Sequence, residues 1–247
     1  MAQSRTILLA SLGIIALQVA FISKASAQAE LSLSSGTSFV LIMDNGLGDV
    51  DSQVGSIQFN GSVGAFTGAF GIGTTKPLNG SATQPQLTFN ALGLRTFDQG
   101  GVLTILFGDT DFDSVSNGAV SAHIGGTTFD FGTQPGSSPV TATGQVSYLT
   151  FMDSGDTPLG TTAALTTQGP LGGTFVDNAS ANATFGSNTS LTQEIIVAQG
   201  PDAITEFRAT LRITSALIAP DNGSAIGLFA AALLALEVYR RRSRSAS

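Results

Sequence analysis

Apolar and polar residues alternate with a period of two along the central part of the chain. In residues 207–213 every odd position is apolar and most even positions are polar, and shorter stretches at 56–59 and 87–90 repeat the pattern. Because successive side chains of a β-strand point to opposite faces, this alternation predicts strands with one buried face. Residues 102–107 are apolar on both faces, which predicts a central strand, and residues 191–197 mark a further strand.

Glycine-containing dipeptides between these stretches predict the turns that join the strands. They are Asn45-Gly46, Asn60-Gly61, Asn79-Gly80, Asn117-Gly118, Gly125-Gly126 and Gly172-Gly173. Short strands separated by regular turns are typical of an all-β domain, so the prediction is an antiparallel β-sandwich or jelly roll. A right-handed solenoid is the alternative, and it ranks second because no repeat of fixed period is present.

The N-terminus has the pattern of an export signal. Arg5 precedes an apolar stretch at 7–22, and Ala25-Ser26-Ala27 provides the small residues of a cleavage site. The sequence therefore predicts a signal peptide over residues 1–27. A retained membrane anchor is the alternative, and it is less favourable because Gln18 interrupts the apolar run, Lys24 lies close behind it and the small-residue box follows.

The C-terminus has three consecutive parts that resemble a sorting signal. They are the polar turn Pro220, Asp221, Asn222, Gly223 and Ser224, the apolar run 225–238, and the basic residues Arg240, Arg241, Arg242 and Arg244. This arrangement resembles the PEP-CTERM signals that exosortases recognise, most closely the VPDSG variant. Ala219 stands where that variant has Val, and Asn222 stands where it has Ser. The resemblance implies a single transmembrane helix, an exosortase-like processing enzyme and a sorting signal over residues 219–247.

The length and charge of this tail favour a transient membrane association. A helix over residues 224–238 would be about 22 Å long at ~1.5 Å per residue, whereas the hydrocarbon core is about 30 Å thick. The arginines would stay on the cytoplasmic side, which leaves residues 28–218 outside as the exported domain. We expect export across the inner membrane, membrane association during sorting, and a final location at the cell surface or outside the cell.

The exported part is strongly acidic. Of the 17 acidic residues only Asp221 and Glu237 lie beyond it, and its only basic residues are Lys76, Arg95, Arg208 and Arg212. Nucleic acid is therefore excluded as a partner, because phosphate binding requires clustered Lys and Arg. The chain has no cysteine, which excludes disulfides, cysteine metal sites and thiol catalysis.

Three aspartates follow the most hydrophobic predicted strand. Asp109, Asp111 and Asp113 alternate, so an extended chain would place their carboxylates on one face, where oxygen ligands could bind calcium. A second acidic turn spans residues 44–51. The alternative is that both are solvated loops in which Asp and Asn form turns. We expect no other cofactor, and no enzymatic activity, because His123 is the single histidine and no Trp is present for sugar stacking.

A second resemblance concerns the exported domain itself. Residues 57–64, 73–77, 85–87, 103–105 and 109–112 look like the ectodomains of many bacterial PEP-CTERM proteins. The leading hypothesis is therefore a non-enzymatic surface or extracellular-matrix protein with a structural or adhesive role, associated with exopolysaccharide. The runner-up is a calcium-dependent module that binds a ligand or carbohydrate.

The cleavage-site pattern makes a direct prediction about the exported protein. Ala25 and Ala27 occupy the positions that signal peptidase requires, so the mature chain should begin at Gln28. Intact-mass analysis of the exported protein should match that start. A mass that retains residues 1–24 would contradict it.

Overall fold

A computed structural model describes residues 29–130 and 144–214 of the chain, and these ranges form twelve β-strands. The predicted signal peptide, the sorting motif Pro220–Ser224, the apolar run and the arginine tail lie outside the described residues. Within the described ranges, no helix is long and apolar enough to cross a membrane. The strands are β1 (Glu30–Ser35), β2 (Ser38–Met43), β3 (Ser56–Val63), β4 (Phe66–Thr74), β5 (Gln86–Thr96), β6 (Gly101–Phe112), β7 (Val115–Asp130), β8 (Gln145–Asp153), β9 (Ala163–Gly172), β10 (Thr174–Phe185), β11 (Thr189–Gln199) and β12 (Ala203–Thr214).

The strands form two six-stranded antiparallel sheets that pack face to face. Sheet A has the order β2-β1-β6-β11-β8-β9, and sheet B has the order β10-β7-β12-β5-β4-β3. Short hairpins join β1 to β2 and β3 to β4, and the longer loop 154–162 joins β8 to β9 within sheet A. Most other connections cross between the sheets. The predicted all-β, sandwich-like fold with antiparallel strands is therefore confirmed.

The strands predicted from alternation are present. Residues 207–213 lie in β12, 56–59 in β3, 87–90 in β5 and 191–197 in β11. Residues 102–107 lie in β6, which is an inner strand of sheet A as predicted. Its outer face is less covered than expected, since the side chain of Val102 is 53% exposed.

Three of the predicted turns are wrong. Asn60-Gly61 lies inside β3 beside a break in register with β4, and Asn117-Gly118 and Gly125-Gly126 lie inside β7. The glycines of β7 serve close packing: a Cβ on Gly126 would lie 2.2 Å from the carbonyl oxygen of Glu206. Glycine in a strand often marks such a close backbone approach, which a dipeptide pattern cannot distinguish from a turn.

The core lies between the sheets and is rich in phenylalanine. The ring of Phe89 on β5 is 5.9 Å from the ring of Phe107 on β6 and 6.3 Å from that of Phe207 on β12, measured between centroids. Phe89 and Phe107 are fully buried. Because Phe107 belongs to sheet A and the other two to sheet B, these contacts join the two sheets at the centre of the core.

The loops gather at two opposite ends of the fold. One end, here called the acidic end, contains loops 44–55, 75–85, 113–114, 154–162 and 186–188. Its loops are joined by backbone hydrogen bonds, including Asp113 N to Ala82 O at 3.0 Å. Ala29 and Thr214, the first and last described residues, also lie at this end. The opposite end, here called the distal end, contains loops 36–37, 64–65, 97–100 and 200–202.

The central aromatic contacts predict a large cost for truncation. Replacing Phe89 with Ala should lower the free energy of unfolding by about 3–5 kcal/mol, because it removes a buried ring and leaves a cavity. Leu47→Ala is the control, because Leu47 is 99% exposed and its change should stay within about 0.5 kcal/mol. Denaturant unfolding measures both; equal effects would contradict this core.

Candidate functional site

A buried ion pair lies at the acidic end. The Nζ atom of Lys76 is 2.8 Å from Oδ2 of Asp109, and the two side chains are 2% and 0% exposed. The Thr75 hydroxyl donates to the same Oδ2 at 2.8 Å, and the backbone N–H of Thr110 donates to Oδ1 at 2.8 Å. Both carboxylate oxygens are thus hydrogen-bonded, as a buried charge requires.

The ammonium group of Lys76 has further partners on β6. It donates to the carbonyl oxygen of Thr110, and it lies 4.3 Å from the centroid of the Phe112 ring. A cation above an aromatic face is attracted by the negative face of the ring. Lys76 follows β4 of sheet B and Asp109 belongs to β6 of sheet A, so this cluster links the two sheets.

The three aspartates predicted as calcium ligands do not share one face. β6 has one more residue than β11 between the pairs Asp109–Leu191 and Phe112–Thr189, which is a β-bulge, and Asp111 has φ of 57°. The bulge interrupts the alternation on which the prediction depended. Asp109 is buried against Lys76, Asp111 is half-buried, and Asp113 is exposed.

Nothing in the described ranges forms a cluster of three or more His, Asp or Glu side chains that could hold a metal ion. The backbone N–H of Asp111 instead donates to Oδ1 of Asp156 at 2.9 Å. Lys76, one of the four basic residues of the predicted exported part, supplies the counter-charge for Asp109. Calcium binding by Asp111 and Asp113 stays a prediction.

The second acidic turn, residues 44–51, uses its carboxylates as backbone acceptors. Asp49 accepts hydrogen bonds from the N–H groups of Asn45, Asp51 and Gln58, and Asp44 accepts one from Gly55 at 2.7 Å. Burial raises the pKa of the Asp44 carboxyl, and the negative charges of Asp49, Asp109 and Asp51 raise it further, against the Gly55 hydrogen bond. This turn-forming role is the alternative that the sequence left open.

Two adjoining depressions occupy the distal end. The larger has a volume of about 480 Å³ and is lined by hydroxyl groups and glycine backbone, from residues Ser35, Gly36, Thr37, Ser38, Gly64, Ala65, Gly100, Gly101 and Val102. The smaller, of about 250 Å³, is lined by Ala65, Phe97, Asp98 and Gln99. Residues 97–100 are exposed, with the Phe97 side chain at 48%. The sequence analysis missed this site.

Glycine permits the close packing of the distal loops. Gly64 has φ of 59°, and a Cβ there would lie 2.6 Å from the Ser35 hydroxyl oxygen. The β3–β4 hairpin can therefore rest on the end of β1, which brings loops of the two sheets together around the larger depression. In the sequence this site appears only as a set of Gly-rich turns. The sequence does not indicate that these turns lie next to one another in the fold.

A third depression, of about 400 Å³, lies on the outer face of sheet B. Asn90, Thr127, Glu206 and Arg208 supply its polar lining, and the exposed side chain of Leu92 adds an apolar part. The bulge at Gly93, with φ of 72°, shapes one side of it. It is a second surface that a polar ligand could occupy.

His123 lies on the outer face of β7 and is half-buried between Asn178 and Thr210 on the neighbouring strands. These neighbours are amide and hydroxyl residues. The buried Tyr148 hydroxyl accepts a hydrogen bond from Nε2 of Gln193 at 2.6 Å, and burial raises the pKa of Tyr148. The hydrogen bond of Tyr148 thus joins β8 to β11 within sheet A.

Comparison with known proteins adds little to the geometry. No family model matches the chain, and no curated protein matches it. A solved structure described as that of infectious bursal disease virus Gx strain aligns with 78% of this chain and 57% of its own, at 13% identity and a TM-score of 0.25. A likeness at that level carries no argument about function.

The buried ion pair predicts a specific pattern of stability. Lys76→Met should cost about 3–5 kcal/mol at pH 7, because it leaves the Asp109 carboxylate buried without its counter-charge.

Two further variants control for this effect. Lys76→Met combined with Asp109→Asn should recover much of the loss, because no buried charge remains. Arg212→Met removes an exposed positive charge and should change stability little. Denaturant unfolding at pH 7 tests the set, and a double variant as unstable as Lys76→Met alone would contradict the assignment.

Proposed function

We propose that this protein is a non-enzymatic, exported surface or extracellular-matrix protein with a structural or adhesive role, sorted by an exosortase-like enzyme and associated with exopolysaccharide. Two sequence features support this proposal: the export signal pattern at residues 1–27 and the tripartite tail at residues 219–247. The protein acts at the cell surface or outside the cell after transient membrane association.

The position of the first and last described residues is the structural observation that carries the proposal. Ala29 and Thr214 both lie at the acidic end, so the segment leading to the C-terminal apolar run leaves from that end. A domain held there by its tail directs the distal end away from the membrane. The distal depressions are then the part of the domain that meets the surroundings.

The chemistry of the distal end suits a polysaccharide. Hydroxyl groups and glycine backbone line the larger depression, which carries no charged side chain. Phe97, Asp98 and Gln99 beside it supply an aromatic face next to hydrogen-bonding groups. Sugars present apolar C–H faces and hydroxyl groups, and a site with one aromatic surface and a few polar groups matches both.

The proposal predicts that exopolysaccharide binds at the distal end. Phe97→Ala with Gln99→Ala should weaken co-sedimentation with the polysaccharide of the producing cell about tenfold, which corresponds to about 1.4 kcal/mol. Leu47→Ala at the acidic end is the matched control and should bind as the unmodified chain does. Arg208→Ala tests whether the polysaccharide binds instead in the third depression, on the outer face of sheet B.

The remaining outcomes separate the alternatives. Loss of binding in chelator would favour the calcium-dependent module, with Asp111→Ala as its confirming variant. Loss in Arg208→Ala alone would move the site to sheet B. No binding by the unmodified chain would contradict the adhesive role, and unchanged membrane fractionation after replacing Arg240, Arg241, Arg242 and Arg244 with Ser would contradict the sorting role.

A further inference from the structure

The edge strand β2 differs from the other sheet edges. It pairs with β1 in continuous register over all six residues, from Ser38 opposite Ser35 to Met43 opposite Glu30. Its sequence, SFVLIM, has no charge and no proline. An exposed strand edge offers unpaired backbone groups to any other strand, and proteins usually interrupt such edges with charges, proline or bulges.

The other three edges carry such interruptions. β9 contains Pro170 and two breaks in register with β8, and β3 has a break in register at Phe59 and Asn60. β10 contains Asp177 and a break in register near Ala183. Only β2, among the edges within the described ranges, continues without interruption.

The side chains of β2 place apolar surface beside this edge. Phe39, Leu41 and Met43 are 64%, 48% and 57% exposed on the outer face, whereas Ile42 is buried in the core. Single exposed apolar residues are common, but three in a row on one face of an edge strand form a patch.

The register of the β1–β2 hairpin shows which backbone groups face outward. The N–H of Asp44 donates to the carbonyl of Ala29, so this pair is hydrogen-bonded. Because bonded and non-bonded pairs alternate in an antiparallel ladder, Val40 and Ile42 also bond to β1. Phe39 and Leu41 therefore direct their N–H and C=O groups toward the open edge.

The geometry points to β2 as a dimerisation surface whose occupant is β2 of a second copy of this chain, paired antiparallel about a two-fold axis at Val40. Phe39 of each copy then lies opposite Leu41 of the other, which forms four backbone hydrogen bonds and joins the two A sheets into one. The apolar side chains of both copies become neighbours on the outer face, as cross-strand pairs do.

The charges beside β2 favour the antiparallel over the parallel pairing of two copies. The acidic loop 44–55 follows β2 directly, while the hairpin before it, residues 35–38, carries no charge. Antiparallel pairing places Asp44 opposite Gly36 of the second copy and directs the two acidic ends apart. Parallel pairing would bring both acidic loops together, which like-charge repulsion disfavours.

Cysteine cross-linking tests this arrangement in the full chain, which has no cysteine of its own. A two-fold axis at Val40 makes the two Val40 residues a non-hydrogen-bonded pair, with Cα atoms about 4.5 Å apart. That separation is within the range for a disulfide, about 4.4–6.8 Å. After oxidation, most molecules of the Val40→Cys variant should therefore migrate as a dimer, and a reducing agent should return them to monomers.

Val176→Cys is the matched control, on edge strand β10. Val176 is 69% exposed, so its thiol is accessible, and it should remain monomeric under the same oxidation. Adding Leu41→Lys to Val40→Cys should reduce cross-linking to the control level, because the lysine charges would meet across the axis. Equal cross-linking in both single variants would overturn the proposal.

Light scattering on chains without cysteine provides a second measurement. The unmodified chain should have the mass of a dimer at about 10 μM, and Leu41→Lys should have the mass of a monomer with the same circular dichroism. A monomeric unmodified chain, or a dimer that Leu41→Lys leaves intact, would overturn the proposal even if Val40→Cys failed to fold.

Discussion

The buried contact between Lys76 and Asp109 is the constraint around which the acidic end is built. An isolated buried charge costs several kcal/mol, so each of these groups requires the other. The ion pair joins the segment after β4 in sheet B to the bulge in β6 of sheet A. Two buried charges are stable only in direct contact, so the pair fixes how the loops of the two sheets meet. The rest of the core is held by apolar contacts, which are non-directional.

The polar side chains of the acidic end are largely used in contacts within that end. Thr75, Thr110 and Phe112 are held around the ion pair, and the neighbouring loop 44–55 is tied by Asp44 and Asp49 to its own backbone. The carboxylates at this end are thus largely engaged in structure. The distal end, whose larger depression carries no charged side chain, is the surface that we propose for an external ligand.

The two proposed surfaces adjoin at Ser38, which begins β2 and also lines the larger distal depression. The distal depressions lie at the end away from Ala29 and Thr214, and the open edge of β2 runs along the side of sheet A. A pair of chains joined at β2 would direct its two distal ends in opposite directions, so this pair belongs to the stage after the tails have left the membrane. Such a dimer could cross-link two polysaccharide strands, which is a structural role suited to a matrix.

The sequence by itself determined the fold class and several strands. Alternation in residues 207–213 and the apolar run 102–107 were sufficient because the periodicity of a strand is a local property of the chain. The same reasoning placed turns at Asn117-Gly118 and Gly125-Gly126, where the structure has strand β7, because a glycine needed for close packing resembles a glycine needed for a turn.

The tertiary structure alone decided the role of the aspartates and the candidate surfaces. Lys76 is 33 residues from Asp109 in the sequence, and no local pattern relates them. The bulge at Asp111 depends on pairing with β11, and the distal depression depends on hairpins from both sheets. These features arise from contacts between distant segments, and the free energy of such contacts depends on the packing of the whole domain, which one sequence window does not contain.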